Sequence, residues 1–291
     1  EVSPLEFIDA AIQRIEETDG SLNALPTLCI ERARAHAEKI MANRIADAPR
    51  GYLYGLPIAV KDLKDVAGVR STKGSPIFAD YIPARSDYIV ETIEEKGGIV
   101  LAKSNTPEFG AGANTFNEVF GKTRNPWNTG MTCGGSSGGS AVALAAGQVW
   151  LATGTDLGGS LRQPASFCSV VGLRPSPGRV ASGPRALPFA TLSVDGPMGR
   201  NVGDVALFLD TQAGQHQNDP ISLPAPTLPY VSAVDQASPP RRIAFSPDLG
   251  IASIDSEVSE LCAKAMSIFE GMGATVVERS EERRVGKECR S

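Results

Sequence analysis

Gly134-Gly135-Ser136-Ser137-Gly138-Gly139-Ser140 runs directly into Ala141-Val142-Ala143-Leu144-Ala145-Ala146. The second half is a strong helix former, so the serines sit at a helix N-terminus, beside unpaired backbone N–H groups and the positive end of the helix dipole. Such a place suits a phosphate or a developing oxyanion. A P-loop needs a lysine after its glycines and a dinucleotide fingerprint needs GxGxxG, and neither is here. Taken alone, the run also reads as a flexible turn without chemistry.

A second glycine-rich turn follows after a short strand expected at Val149 to Ala152. It reads Thr153-Gly154-Thr155-Asp156-Leu157-Gly158-Gly159-Ser160-Leu161-Arg162-Gln163-Pro164, with Ser160 lying 24 residues after Ser136. Residues 130–160 hold nine of the 30 glycines. Glycine is placed where backbone takes positive φ or something approaches closely, so this window is where the chain departs from regular structure. The N–H groups of Leu157, Gly158, Gly159 and Ser160 could converge on one point as an oxyanion hole, with Ser160 as the nucleophile beside it.

A serine nucleophile needs a base. The only histidines are His36, in an Ala-rich helix, and His216, beside a Pro-rich stretch. Both read as surface residues. The G-x-S-x-G elbow is absent around Ser160. Lysine is the other base known for serine, and it must be desolvated to be neutral. Lys61 closes the apolar run Leu56-Pro57-Ile58-Ala59-Val60 and is the best placed lysine, although most lysines are solvated surface groups.

Outward from these motifs the chain alternates helices with short, unalternating apolar strands, the pattern of an α/β sheet covered on both faces. Ser3-Pro4-Leu5-Glu6 opens a helix with a capping box, and Gly20 is the expected stop. A second helix is expected over Ile30 to Ala42, a third over Tyr88 to Glu95, and a strand at Ile99 to Ala102. Residues 218–241 read as a Pro-rich surface excursion. After it a strand (Arg242 to Phe245), a helix (Ser256 to Gly271) and a strand (Ala274 to Val277) restore the α/β order.

The 291 residues carry 33 acidic and 28 basic side chains, a net charge of −5, which argues against a nucleic-acid binder. Five widely spaced cysteines without a CxxC fit neither a disulfide framework nor a zinc ribbon and point to a reducing, cytoplasmic setting. They are expected to pack as small apolar groups. Two histidines leave no multi-His metal cage. No apolar run is long enough to span a membrane.

Three segments together resemble the amidase signature family: Gly55-Leu56-Pro57-Ile58-Ala59-Val60-Lys61-Asp62, the Gly134–Ala141 turn and the Gly154–Pro164 turn. Lys103-Ser104-Asn105-Thr106-Pro107-Glu108-Phe109, Gly121 to Asn128 and Gly172 to Val180 match as well. The resemblance implies a mixed β-sheet core covered by α-helices on both faces, truncated at the C-terminus, and a Ser–cis-Ser–Lys mechanism. Ser160 would be the nucleophile, Ser136 the bridging serine held by a cis peptide, and Lys61 the base. The N–H groups of Leu157, Gly158, Gly159 and Ser160 would form the oxyanion hole. Ser137 would support the triad by a hydrogen bond, and Asp156 and Arg162 would be scaffold for the loop. The implied reaction is hydrolysis of a linear carboxamide to acid plus amine or ammonia, without cofactor or metal.

The expected partner is a small-molecule amide, with neither nucleic acid nor membrane involved and a homodimer as the one assembly considered. The expected organisation is a single amidase domain over 1–278, incomplete relative to the family, and a charged tail over 279–291 outside the fold. That tail resembles a translated sequencing adaptor. Two other readings remain at this point. One is the glutaminase-type A subunit of a glutamyl-tRNA amidotransferase, which typically carries an Asn-Met-Asp-Glu-Phe-type stretch where this chain has Asn105-Thr106-Pro107-Glu108-Phe109. The other is a catalytically inert fragment.

Overall fold

The computed structural model describes residues 2–43 and 45–278. The tail expected at 279–291 lies outside the described residues. In chain order the elements are α1 (Pro4–Leu22), β1 (Thr27–Leu28), α2 (Ile30–Ala42), β2 (Pro57–Lys61), α3 (Tyr88–Glu95), β3 (Ile99–Ser104), β4 (Phe116–Asn117), β5 (Gly121–Lys122) and α4 (Gly138–Ala145). They continue as β6 (Leu151–Asp156), α5 (Arg162–Cys168), β7 (Val171–Gly172), β8 (Val194–Gly199), α6 (Val202–Gln212), α7 (Tyr230–Asp235), β9 (Arg242–Phe245), α8 (Ser256–Gly271) and β10 (Thr275–Glu278). Contacts divide the chain into two compact units, the first ending at Val234 and the second beginning at Asp235. That boundary falls inside both the single domain expected over 1–278 and the Pro-rich stretch 218–241.

The first unit is built on a six-stranded mixed sheet in the order β1-β3-β2-β6-β8-β7. β3, β2 and β6 run parallel, while β1, β8 and β7 join antiparallel to their neighbours. Side chains alternate across the sheet. Ala59 and Ala152 point into one apolar layer with α1, α2 and α4. Ile58, Val60 and Leu151 point into the other with α3 and α6. Both faces are therefore covered, and the three parallel strands are buried along their whole length. This is the expected mixed α/β arrangement.

Local chemistry explains most element ends. Ser3 and Glu6 form the expected capping box. α1 continues through Gly20, however, and ends at Asn23 in the left-handed region (φ 54°). Asn tolerates that conformation, and the Asn23 amide is held by the carbonyls of Phe120 and Lys122. The strand expected at Val149 to Ala152 begins and ends later, at Leu151 and Asp156. The Pro-rich stretch is less detached than its composition suggests. Asp219 is buried and accepts the Ser182 N–H, and Asp210 accepts the N–H groups of Tyr230 and Val231 at the start of α7.

α4 is buried on every side from Gly138 to Leu144. A Cβ at Gly139 would overlap the Asn105 and Ala24 backbone, so this turn can approach β3 only as glycine. The second unit contains a β9-α8-β10 unit with β9 and β10 paired in parallel.

Gly139→Ala should lower unfolding stability by about 1–3 kcal/mol, the usual cost of overpacking. Gly20→Ala, where nothing lies within 4 Å, should raise it by up to about 1 kcal/mol by helix propensity. Urea midpoints of the two variants check the contrast.

Candidate active site

The carboxyl ends of parallel strands are where open α/β sheets form their crevices. Lys61 ends β2 and Asp156 ends β6, two strands that lie side by side. The lysine is completely buried. Its backbone N–H is held by Thr153 Oγ1 at 3.0 Å. Its Nζ donates to Ser136 Oγ at 2.7 Å, Ser137 Oγ at 2.9 Å and Thr155 Oγ1 at 2.8 Å. Among the described residues no carboxylate touches it. Burial is the main reason its pKa falls well below the ordinary 10.5, and the nearby Asp195 only partly offsets this. A neutral amine has two N–H donors and one lone pair. In that form Lys61 donates two of these three contacts and accepts the third from a hydroxyl.

The first glycine-serine turn delivers Ser136 and Ser137 as expected. The Gly135–Ser136 peptide is cis. Ser137 is the residue before α4, yet its hydroxyl does not cap that helix. Instead it accepts from Lys61 Nζ and from the Thr155 N–H. The buried N-terminus of α4 is not open to an anion, because its glycines are buried and the Gly139 N–H is donated to Asn105 O. The phosphate alternative therefore has no place there.

The second turn lies against the first. Ser137 N–H donates to Ser160 O at 3.2 Å, and Gly135 N–H donates to the side chain of Gln163. Ser160 is half-buried, and its hydroxyl makes no hydrogen bond among the described residues. The structure thus joins Lys61 to Ser136 directly, and brings Ser160 beside them through its backbone.

Asp156 organises this loop. Its carboxylate accepts from Gly159 N at 2.8 Å, Leu161 N at 3.2 Å, Arg162 Nε at 3.0 Å and Arg174 Nη1 at 3.2 Å. Burial alone would raise its pKa, but Arg162 and the two backbone N–H groups override that and hold it at about 2. Of the four N–H groups expected to line an oxyanion hole, that of Gly159 is donated to Asp156, while those of Leu157, Gly158 and Ser160 are unengaged among the described residues.

Three contributors escaped sequence reasoning. Thr153 and Thr155 read only as part of the glycine-rich turn, without a role; they lie in β6, and their hydroxyls matter because β6 lies beside β2 in the sheet. Arg174 stood in the Gly172 to Val180 stretch without an assigned role, and it reaches Asp156 from beyond β7. The histidines lie elsewhere. His216 stacks on Tyr88 at 4.0 Å, and His36 stands 3.9 Å from Glu94. Cys133 and Cys168 are free and buried, with thiols pushed up to about 11 and about 12 by desolvation. They pack as small apolar groups.

The family model for Amidase matches residues 6–283. An acylamidase from Rhodococcus erythropolis is 37% identical over 281 residues, covering 97% of this chain and 59% of that protein. The A subunit of the glutamyl-tRNA(Gln) amidotransferase from Anaeromyxobacter dehalogenans (strain 2CP-C) is 38% identical over 279 residues, covering 96% and 57%. Among solved structures, a bacterial aryl acylamidase of the amidase signature enzymes superposes with a TM-score of 0.88 at 33% identity, covering 96% of this chain and 58% of that one. A 6-aminohexanoate cyclic dimer hydrolase complexed with substrate gives 0.86 at 30% identity, covering 96% and 57%. The chain spans less than two thirds of the length of the curated relatives it matches.

Asp156→Asn should lower stability at pH 7 by on the order of 2 kcal/mol, the scale of a charge-assisted hydrogen bond. The carboxylate pKa is depressed, so its contribution is present above 3.8 and is lost as pH falls toward about 2. Denaturation curves of the two proteins should therefore converge over that window.

Proposed function

Because the chain belongs to the amidase family, we propose that it hydrolyses the C–N bond of a linear, non-peptide carboxamide through an acyl-enzyme on Ser160. The observation that carries this reading is the 2.7 Å contact between Lys61 Nζ and Ser136 Oγ, in a pocket that favours the neutral amine.

The Ser160 hydroxyl closes onto Ser136 when an amide fills the site. Ser160 Oγ attacks the carbonyl carbon, its proton passes to Ser136 Oγ, and the Ser136 proton passes to Lys61 Nζ. The carbonyl oxygen becomes an oxyanion and takes the free N–H groups of Leu157, Gly158 and Ser160, donors aimed where charge develops. The proton then returns from Lys61 through Ser136 to the amide nitrogen. The C–N bond breaks, and the amine or ammonia leaves. Water repeats the sequence on the ester and releases the acid. Ser137 and Thr155 steer the Lys61 lone pair toward Ser136 by taking its two N–H groups. Asp156, Arg162 and Arg174 hold the loop carrying Ser160 and touch no reacting atom. No step calls for a metal or cofactor.

The acylamidase relative and the aryl acylamidase neighbour support an amide with one apolar side. Leu157, on the same loop as the nucleophile, is 65% exposed and supplies apolar surface beside it. The relatives that are amidotransferase A subunits favour a second reading, a glutaminase that works with partner proteins. Glutamine hydrolysis that appears only with co-purified partners would select it.

A fluorophosphonate probe should label the protein on serine, and Ser160→Ala should abolish the labelling. Labelling that survives in the variant would contradict the assignment. Activity needs neutral Lys61, so kcat/KM should rise with pH along a limb well below the 10.5 of a free lysine. Lys61→Met should lose at least about 10³-fold in kcat/KM and lose this limb, as expected when the base is removed.

A further inference from the structure

Two buried lysines flank the carboxyl end of β2, and their surroundings differ. Lys103, on β3, donates to Asp62 Oδ1 at 2.7 Å and Ser71 Oγ at 2.7 Å, a closed ion pair. All three hydrogen bonds of the Lys61 amine go to hydroxyls. A carboxylate is nevertheless close. Asp195, on β8, is the register partner of Thr155, whose hydroxyl touches Lys61 Nζ. Side chains of such a pair share one face of the sheet, with Cβ atoms about 4.5–5.5 Å apart. A carboxylate there is the natural counter-ion for a buried ammonium.

Asp195 is occupied elsewhere. Lys64 Nζ lies 2.8 Å from its Oδ1 and 2.9 Å from its Oδ2. The Ser182 hydroxyl donates to the same Oδ2. Lys64 reaches this position because its own N–H closes a turn onto Lys61 O at 2.9 Å, which carries it off the end of β2. Asp87 adds a second carboxylate 3.6 Å from Lys64 Nζ.

We propose that Lys64 is a positioning residue for Lys61: by clamping Asp195 it denies Lys61 a counter-ion and keeps the Lys61 amine open to the Ser136 proton. This rests on Lys61 being the base. The charges around Lys61 are few. β8 presents Asp195, β6 presents Asp156 already bound by Arg162 and Arg174, and β3 presents Lys103 paired with Asp62. α4 carries no charged side chain. After burial, Asp195 is the largest influence on Lys61 and favours its ammonium, Lys64 opposes it, and Asp156 favours it less. Burial pulls Lys64 toward the neutral form, but Asp195 and Asp87 overcome that and keep it charged. Removing the Lys64 charge therefore acts in one direction. Protonated Lys61 loses a like charge and gains an unclamped carboxylate.

The test is the rate of fluorophosphonate labelling at Ser160 against pH, on the whole chain. It compares wild type, Lys64→Met, Lys64→Arg and the double variant Lys64→Met with Asp195→Asn. Lys64→Met should move the acid limb up by about one pH unit, the effect of an opposite charge at close range. Labelling below the limb should then fall about tenfold and recover to the wild-type rate at high pH. Lys64→Arg should leave the limb in place, and the double variant should return it to the wild-type position or below. A limb that stays put in Lys64→Met, or a loss equal at every pH, would overturn the role of Lys64. If Lys64→Met does not fold, a limb in the double variant above that of wild type overturns it equally. Labelling of Lys61→Met at the wild-type rate would instead overturn the base assignment itself, and the role of Lys64 with it.

Discussion

Lys61 lies fully buried with three hydroxyls against its amine, and burial pushes that amine toward its uncharged form. An isolated ammonium in such a place costs several kcal/mol, and the ordinary response is to release the proton. The fold builds this environment with strands. β2 ends at Lys61, β6 beside it brings Thr153 and Thr155, and α4 sets Ser136 and Ser137 over the amine. Acidic neighbours are present but engaged. Asp62 holds Lys103, Asp156 holds the Ser160 loop with two arginines, and Asp195 holds Lys64.

The two glycine-serine turns are one device. Glycine at 139 lets α4 press onto the end of β3. The Ser137 N–H and the Gln163 side chain then tie the first turn to the second. A buried helix, a buried strand end and a charge-braced loop hold three hydroxyls and a lysine together without a histidine. That arrangement suits acyl transfer, where a nucleophile, a base and oriented donors must be in place before the substrate arrives.

Much of this was legible in the sequence because local chemistry marks it. An apolar run ending in lysine, and serines between paired glycines ahead of an alanine-rich helix, can each be read without neighbours. The capping box at Ser3 and the limits of α2, α3 and α8 were equally local. What escaped depends on pairing across strands. β8 reads Val194-Asp195-Gly196-Pro197-Met198-Gly199, a sequence with little strand propensity, yet it pairs with β6 along six residues. Gly196 is tolerated there because the Leu173 carbonyl and Leu161 fill the space a side chain would need. Missing β8 meant missing Asp195, and with it the ion-pair partner of Lys64. The hold of Asp156 on the Gly159 N–H escaped for a similar cause, since the reach of that carboxylate back into its own loop is not visible in the order of residues.

The charge state of Lys61 carries the account, and it can be measured directly. In protein labelled with ¹³C at lysine Cε, the Lys61 resonance is identified by its loss in Lys61→Met and followed with pH. The account predicts a titration well below the 10.5 of an exposed lysine, with Lys61 reaching its neutral-amine shift before the surface lysines do. A Lys61 signal that keeps its ammonium shift until about 10.5, like the surface lysines, would contradict it.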